Sequence, residues 1–358
     1  GTRPEAIKLY PLIRTLKKVK KFKVKICVTS QHKDLLKQML EIFKIKIDYD
    51  LKIMKSNQSL IDIYSNLPSK LKKIYLTSKP NIVLVPGDTI SAMIAAQVAD
   101  FMKIPVGHVE AGLRTYDKYS PWPEELCRQI IAKHSSINFC PTRINLTNLR
   151  NEKIKNNFLT GNTIIDAVQI IQKEIFKKKF QEKFNQKFKK FLSYKNKIYF
   201  TLHRRENFGK PAQKIFNTIN KLGYKDTAII YPVHPNPNIK KNAYKNFRKK
   251  NNIFLTKPLN YFENLYLIYK SNLILSDSGG VQEESSALSK PILVLRDKTE
   301  RIEIIGKNAY LVGSNQKKII KLTKFFLKKK KFKFYSPYGN GKASKKISNI
   351  LKRFLNEK

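Results

Sequence analysis

The sequence predicts an α/β protein made of two Rossmann-like, doubly wound domains that face a central cleft. Three observations predict it. Short, apolar, β-branched runs alternate with helical stretches along nearly the whole chain. The alternation breaks once, over Gln172–Asn196, and then restarts. Polar and glycine-rich clusters follow directly after several of the runs. Strands that are apolar throughout and separated by helices form a parallel sheet covered on both faces, and ligands of such sheets bind beyond the carboxyl ends of the strands.

Taken in order, "GTRPEAIK" (Gly1–Lys8) reads as a loop entering a helix, with Pro4 in its first turn. "FKVKICVTS" (Phe22–Ser30) reads as a strand before a helix near Lys33–Phe43, and "NIVLVPGDT" (Asn81–Thr89) as a strand before an Ala-rich helix near Ala92–Met102. Ile104–Gly112, Ile137–Thr142 and Asn156–Thr163 continue the rhythm. In the break, Phe176, Phe180, Phe184 and Phe188 recur at every fourth position, a stripe on one face of a basic helix. A connecting helix that packs this stripe on the domains is favoured over one lying on a membrane surface. Six further strands follow: Lys197–His203, Thr227–His234, Asn252–Thr256, Asn272–Gly280, Pro291–Asp297 and Ala309–Gly313. The lysine-rich Phe325–Phe334 reads as a solvated helix end and loop. The predicted organisation is an N-terminal domain over 1–171, a connecting helix over 172–196, a second domain over 197–340, and a C-terminal helix over 341–358 able to pack back on the first domain.

With 358 residues the chain can bury a sizeable core. Its 72 Lys+Arg against 26 Asp+Glu leave a formal charge of +46, which raises the question of nucleic acid. Lysine is spread over nearly every segment and accompanied by heavy use of Asn and Ile, the pattern of codon bias rather than of a binding patch. No zinc finger, RNP-type box or helix-turn-helix is present, so no specific nucleic-acid partner is expected, although the field favours an anionic ligand. No uncharged apolar run reaches the length of about 18 residues that a membrane span requires. Cys27, Cys127 and Cys140 are scattered and odd in number, which argues against a disulfide framework or a metal site and for a reducing, cytoplasmic location.

The polar clusters carry the chemistry. Gly87-Asp88-Thr89, His108-Val109-Glu110, His203-Arg204-Arg205-Glu206-Asn207, His234-Pro235-Asn236-Pro237 and Ser276-Asp277-Ser278-Gly279-Gly280 each end a strand. "SDSGGVQEE" (Ser276–Glu284) has the physics of an anion site, with glycines that admit a close approach and a helix start that offers free N–H groups. A plain capped turn reads equally well there. Glu284, one turn into that helix, is able to accept from ribose hydroxyls, while Arg3 and Lys8 suit a diphosphate or plain surface charge. Nicotinamide chemistry finds no support, since no GxGxxG follows a strand. "YGNGKAS" (Tyr338–Ser344) lacks the Ser or Thr that a phosphate loop needs after Gly-Lys, and His108-Val109-Glu110 lacks the PCxxC of a zinc deaminase.

GTRPEAIK, GDT, GHVEAGLRT, YSPWPEE, GNTIIDA, HRREN, YPVHPNP, SDSGGVQEE, PILVLRDKTER and SPYGNG, in this order and almost end to end, resemble the bacterial non-hydrolysing UDP-N-acetylglucosamine 2-epimerases. The resemblance implies a GT-B-like fold, a homodimer, and interconversion of UDP-GlcNAc and UDP-ManNAc without a nucleotide redox cofactor or a metal. It also implies a first strand that normally precedes GTRPE and lies partly outside this sequence. Elimination of UDP to a 2-acetamidoglucal, followed by re-addition with protonation on the opposite face, is the implied route. Alternatives are a hydrolysing 2-epimerase, a 2-epimerase of a diacetamido-uronic UDP-sugar, and a UDP-sugar-binding protein without turnover.

By the same resemblance, Asp88, Glu110, Glu124 and His203 correspond to catalytic groups. Arg3, Lys8, Arg128, Arg204, His234, Ser278, Gly279, Gly280 and Glu284 correspond to substrate-binding positions. Gln31, His32 and Gln58 fall in the region where relatives bind a second UDP-GlcNAc as activator. Asp117 and Glu125 read only as loop and helix-start charge. Pro86, Cys127 and Ile302 stand where relatives usually carry His or Gln, Asn, and Pro.

Overall fold

The apolar runs pair as parallel strands in the computed structural model, which describes residues 1–30, 40–41, 43–54, 58–222, 226–329 and 334–357. The chain divides into two units, Gly1–Ala167 with Pro337–Lys358, and Val168–Ser336. No helix among the described residues is long and apolar enough to cross a membrane.

In the first unit, α1 (Arg3–Lys17) opens on a capping box between Thr2 and Glu5, with Pro4 in the first turn. Of the run Phe22–Ser30, only β1 (Cys27–Val28) forms a ladder, parallel to β2 (Tyr49–Asp50). Just before it the Asp48 carboxylate takes the Ile26 N–H at 2.8 Å, a side-chain bond in place of a backbone one. Helix α2 (Leu60–Ser78) starts from a Ser59–Asp62 capping box. Then come β3 (Val83–Pro86), α3 (Ile90–Phe101), β4 (Val106–Val109), α4 (Glu124–His134), β5 (Ile137–Cys140), α5 (Arg143–Asn151) and β6 (Asn157–Leu159). These four strands lie side by side in sequence order and are all parallel. Every residue of β4 and β5 is buried, as strands covered on both faces must be. Small residues Ala92, Ala96 and Ala99 let α3 pack closely into the core. The helix Ala343–Phe354 belongs to this unit: Ile347 and Leu351 share a buried cluster with Leu12, Leu16, Val109, Ile137 and Phe139. Its first N–H groups, those of Ala343 and Ser344, are taken by the Asp166 carboxylate at 3.2 and 2.9 Å.

Helix α6 (Thr163–Ile175) carries the chain into the second unit. The expected single helix over 172–196 is instead three segments, the end of α6, α7 (Lys178–Lys187) and α8 (Lys189–Leu192). A four-residue repeat drifts by about 40° per step around an α-helix, so one straight helix would swing Phe176 and Phe188 onto different faces. The breaks remove that drift. Phe176 meets Tyr269 edge-on at 4.8 Å, Phe180 meets Phe262 at 6.1 Å, and Phe184 meets Tyr266 at 5.2 Å. All three partners lie on one helix, Tyr261–Lys270, of the same unit.

The second unit holds β7 (Asn196–Thr201), β8 (Thr227–Pro232), β9 (Ile253–Thr256), β10 (Leu273–Ser276), β11 (Ile292–Val294) and β12 (Ala309–Leu311). They form one parallel sheet in the order β12-β11-β10-β7-β8-β9. The chain runs outward from β7 to β9, returns to β10, and runs outward the other way. The switch point therefore lies between β7 and β10, where a doubly wound sheet leaves a crevice for a ligand.

Gly112, after β4, adopts φ +88°, and a β-carbon there would stand 2.2 Å from the Asn145 carbonyl oxygen on α5. Gly112→Ala adds a backbone clash to a left-handed penalty of about 1–2 kcal/mol. It is expected to destabilise the protein by at least about 2 kcal/mol, read as a fall in the thermal midpoint by scanning calorimetry.

Candidate active site

In the first unit two neighbouring strand ends deliver the acids. Pro86 of β3 lies opposite Val109 of β4, so the Gly87-Asp88-Thr89 turn and Glu110 leave the sheet side by side. Gly87 and Glu110 both hold positive φ, 62° and 70°. For glutamate this is strain of about 1–3 kcal/mol, the kind stored where a side chain must be aimed. Lys8 Nζ grips Glu110 Oε1 at 2.5 Å with both side chains nearly buried. Glu110 Oε2 lies against Gly87, 3.4 Å from where a β-carbon would stand.

Asp88 Oδ2 accepts from Arg128 Nη2 at 2.6 Å and from Nε at 3.0 Å. The buried Arg128 is held from its other side by Glu125, with Nη1 to Oε2 at 3.2 Å. Glu125 is wholly buried and also accepts from the backbone N–H groups of Thr115 (3.0 Å) and Tyr116 (3.2 Å) and from Gln129 Nε2 (3.1 Å). The residue read from sequence as helix-start charge is the anchor of the loop and of Arg128. Glu124 is the first residue of α4, following two cis prolyl bonds at Pro121 and Pro123. The Cys127 thiol is pushed up to about 12, first by burial and then by the nearby Asp88 and Glu124 carboxylates. Lys8, Asp88, Glu110, Glu124 and Arg128 thus gather at the carboxyl ends of β3 and β4, and Arg3 heads the helix that carries Lys8. Gln31 and His32 lie outside the described residues, while Gln58 precedes the Ser59 cap of α2.

In the second unit the site follows the switch point. Ser276 of β10 lies opposite Thr201 of β7, and the two hydroxyls are 2.7 Å apart. Just beyond, Asp277 Oδ1 lies 2.9 Å from His203 Nδ1. Its Oδ2 accepts from His203 N (3.0 Å), Arg204 N (2.9 Å) and Asn207 Nδ2 (2.9 Å). Burial raises the carboxyl, but the His203 contact and these donors outweigh it and hold Asp277 down at about 2. The Arg204 side chain is turned back, Nε donating to the Asp277 carbonyl at 3.0 Å. The His234 ring stands 5.8 Å from the His203 ring at 28°.

Ser278 caps the helix Gly279–Ala287 by accepting the Val281 N–H. A β-carbon on Gly279 would come within 2.5 Å of Arg301 Nη1, whereas one on Gly280 would meet nothing nearer than Ser278 Oγ at 3.9 Å. Glu284 is buried one turn further on. The helix is clamped by the buried ion pair of Glu283 with Arg301 (2.7 Å), and Glu300, which also pairs with Arg301, is held by Arg296 at 3.0 Å. Asp277 enters the sequence reading only as a member of a strand-end cluster and Arg301 only within PILVLRDKTER, neither with a role of its own. An acid placed between a strand end and a Ser-Gly-Gly helix start is the signal that points to Asp277. Among the described residues no three His, Cys, Asp or Glu side chains are grouped to share a metal ion.

His108 lies under the first cluster, fully buried on β4, and donates from Nε2 to the Gly87 carbonyl at 2.8 Å. Burial pushes its ring down to about 4 from an ordinary 6.5, with Arg114 and Arg128 adding to the shift. The folded ring stays neutral while the unfolded ring takes a proton below about 6.5, so stability present above that value drains away as pH falls toward 4, by about 3 kcal/mol. Urea midpoints followed by the fluorescence of the only tryptophan, Trp122 in the same unit, are expected to fall across this window in the wild type. In His108→Gln, which keeps a donor and does not titrate, this part of the slope is expected to vanish.

The family described as UDP-N-acetylglucosamine 2-epimerase matches residues 14–352. The UDP-N-acetylglucosamine 2-epimerase of Campylobacter jejuni is 43% identical over 98% of this chain and 95% of its own length. That of Neisseria meningitidis is 42% identical over 98% of this chain and 97% of its own. Among solved structures, the Neisseria meningitidis enzyme bound to UDP-GlcNAc superposes with a TM-score of 0.94 at 41% identity, covering 99% of this chain and 98% of that one. The Methanocaldococcus jannaschii enzyme in complex with UDP-GlcNAc and UDP superposes with a TM-score of 0.86 at 36% identity, covering 99% and 98%. With its GT-B-like α/β fold and a match along nearly its whole length, the chain belongs to the UDP-N-acetylglucosamine 2-epimerase family.

Proposed function

We propose that this protein is an isomerase that interconverts UDP-GlcNAc and UDP-ManNAc by the non-hydrolysing route, supplying ManNAc-type precursors for cell-surface polysaccharide. The observation that carries the reading is the pair Asp88 and Glu110 at adjacent strand ends, each gripped by a buried cation, in a chain of this family.

Inverting C2 requires removal of a proton that no carbonyl acidifies. Loss of UDP with the C1–O bond electrons makes C1 cationic, which eases departure of the C2 proton and leaves a 2-acetamidoglucal. Return of UDP to C1 with protonation of C2 on the opposite face gives the epimer. Such a transition state calls for carboxylates near the sugar and for acid/base groups serving both faces. Asp88, Glu110 and Glu124 suit the first task, and they share the second with His203. Lys8 pairs with the buried Glu110 and Arg128 with the half-buried Asp88, so each carboxylate faces a cation, which favours its charged form. Arg3, Arg204, His234, Ser278, Gly279, Gly280 and Glu284 are proposed to hold UDP, with the half-buried, uncrowded Gly280 backbone and the N-terminus of its helix facing a diphosphate oxygen. The same family resemblance supports a homodimer, and unbridged thiols support a cytoplasmic setting.

Incubation with UDP-GlcNAc in deuterated water, followed by NMR, is expected to yield UDP-ManNAc carrying deuterium at C2. Free ManNAc would instead identify a hydrolysing enzyme, and absence of turnover would leave a binding protein. Glu110→Gln is expected to lower kcat by about a thousandfold or more while UDP affinity, measured by calorimetry, stays within a few-fold.

A further inference from the structure

The ion pair behind His203 decides which ring nitrogen that histidine offers. Asp277 is wholly buried and accepts from four donor groups, so it is an ionised, acceptor-only group. The ring nitrogen 2.9 Å from its Oδ1 must therefore carry a proton. The rest of the carboxylate is fixed too. Asn207 Nδ2 donates both to Asp277 Oδ2 and to the Leu295 carbonyl at 3.0 Å, which sets the orientation of that amide. The two backbone donors, His203 N and Arg204 N, belong to the turn that carries the imidazole, so ring and carboxylate are tied at both ends.

We propose that Asp277 is the positioning residue that holds neutral His203 as the Nδ1–H tautomer, making Nε2 the nitrogen that exchanges protons with substrate. The proposal rests on the reading of His203 as a proton-transfer group. In the transfer, the Nε2 lone pair accepts one proton and becomes N–H; the resulting imidazolium keeps its Nδ1–H on Asp277, whose negative charge offsets the new positive one. The same proton leaves from Nε2, and Asp277 is never protonated. His108 makes the opposite choice, since its Nε2 donates to a carbonyl that only accepts.

This has a sharp consequence for Asp277→Asn. Three donors converge on the Oδ2 position, so the amide oxygen must settle there and the amide NH2 takes the Oδ1 position. An NH2 facing His203 Nδ1 donates to it, and the ring must then move its proton to Nε2. The variant inverts the tautomer while nearly preserving shape.

The test is nitrogen-15 NMR of the imidazoles in the whole protein. There are five histidines, and His203→Gln identifies the His203 signals by their loss. The wild type is expected to show His203 with a protonated Nδ1 and a bare Nε2, with His108 in the same spectrum showing the reverse. Asp277→Asn is expected to switch His203 to the Nε2–H form and to lower kcat by about 10³–10⁴-fold, with KM for UDP-GlcNAc changed by no more than about threefold. An Nε2–H tautomer in the wild type overturns the proposal, as does an unswitched tautomer or a kcat loss below about tenfold in the variant. If the variant does not fold, the wild-type tautomer decides alone. A protein with the Nδ1–H form and no epimerase turnover would sink the functional reading and leave the dyad standing; turnover with the Nε2–H form would do the converse.

Discussion

A carboxylate taken out of water stays ionised only where donors surround it, because the desolvation to be recovered amounts to several kcal/mol even after relaxation. Glu125 and Asp277 satisfy that condition with no exposure at all, and much of the candidate machinery depends on them. Each accepts from two backbone N–H groups as well as from side chains. Backbone donors cannot rearrange without moving the chain, so each acid fixes a stretch of loop as well as a side chain. Glu125 fixes the loop before α4 and, through Arg128, the carboxylate of Asp88. Asp277 fixes the turn after β7 and the imidazole it carries. The residues assigned to chemistry are aimed by acids standing one layer behind them.

Much of this was legible in the sequence, because the signals are local. Apolar runs of four to six residues became the strands β3 to β5 and β7 to β10, and the residues just beyond them became the candidate site. Parallel pairing guarantees that result: all carboxyl ends point one way, so polar residues placed there must gather. The backing acids were harder to read. Glu125 and Asp277 differ from surface charge only in what surrounds them, and the backbone N–H groups that hold them lie nine to ten residues away for Glu125 and more than seventy for Asp277. Nothing in a one-dimensional window registers a partner at that distance.

The helical break at 176–177 leaves no mark in the periodicity, for a different reason. Periodicity says that four phenylalanines share a face, but not whether the backbone stays straight while they do. The answer lies in the aromatic side chains of Tyr261–Lys270, whose positions fix where each phenylalanine must go. Packing overrode the local preference for continuing the helix, the usual direction of such conflicts.

The exterior and interior of this chain obey different chemical accounts. Wherever a side chain reaches water, lysine replaces other polar residues at little cost, and the surface has filled with it. At Glu125, Asp277 or Glu283 a lysine would face donors and cations in a dry cavity, so no drift in base composition can carry one there. Among the described residues ten carboxylates are buried, against five lysine and arginine side chains. In a protein this lopsided, the scarce residue type becomes a tracer: counting charges along the chain says far less about its work than asking which carboxylates water never touches.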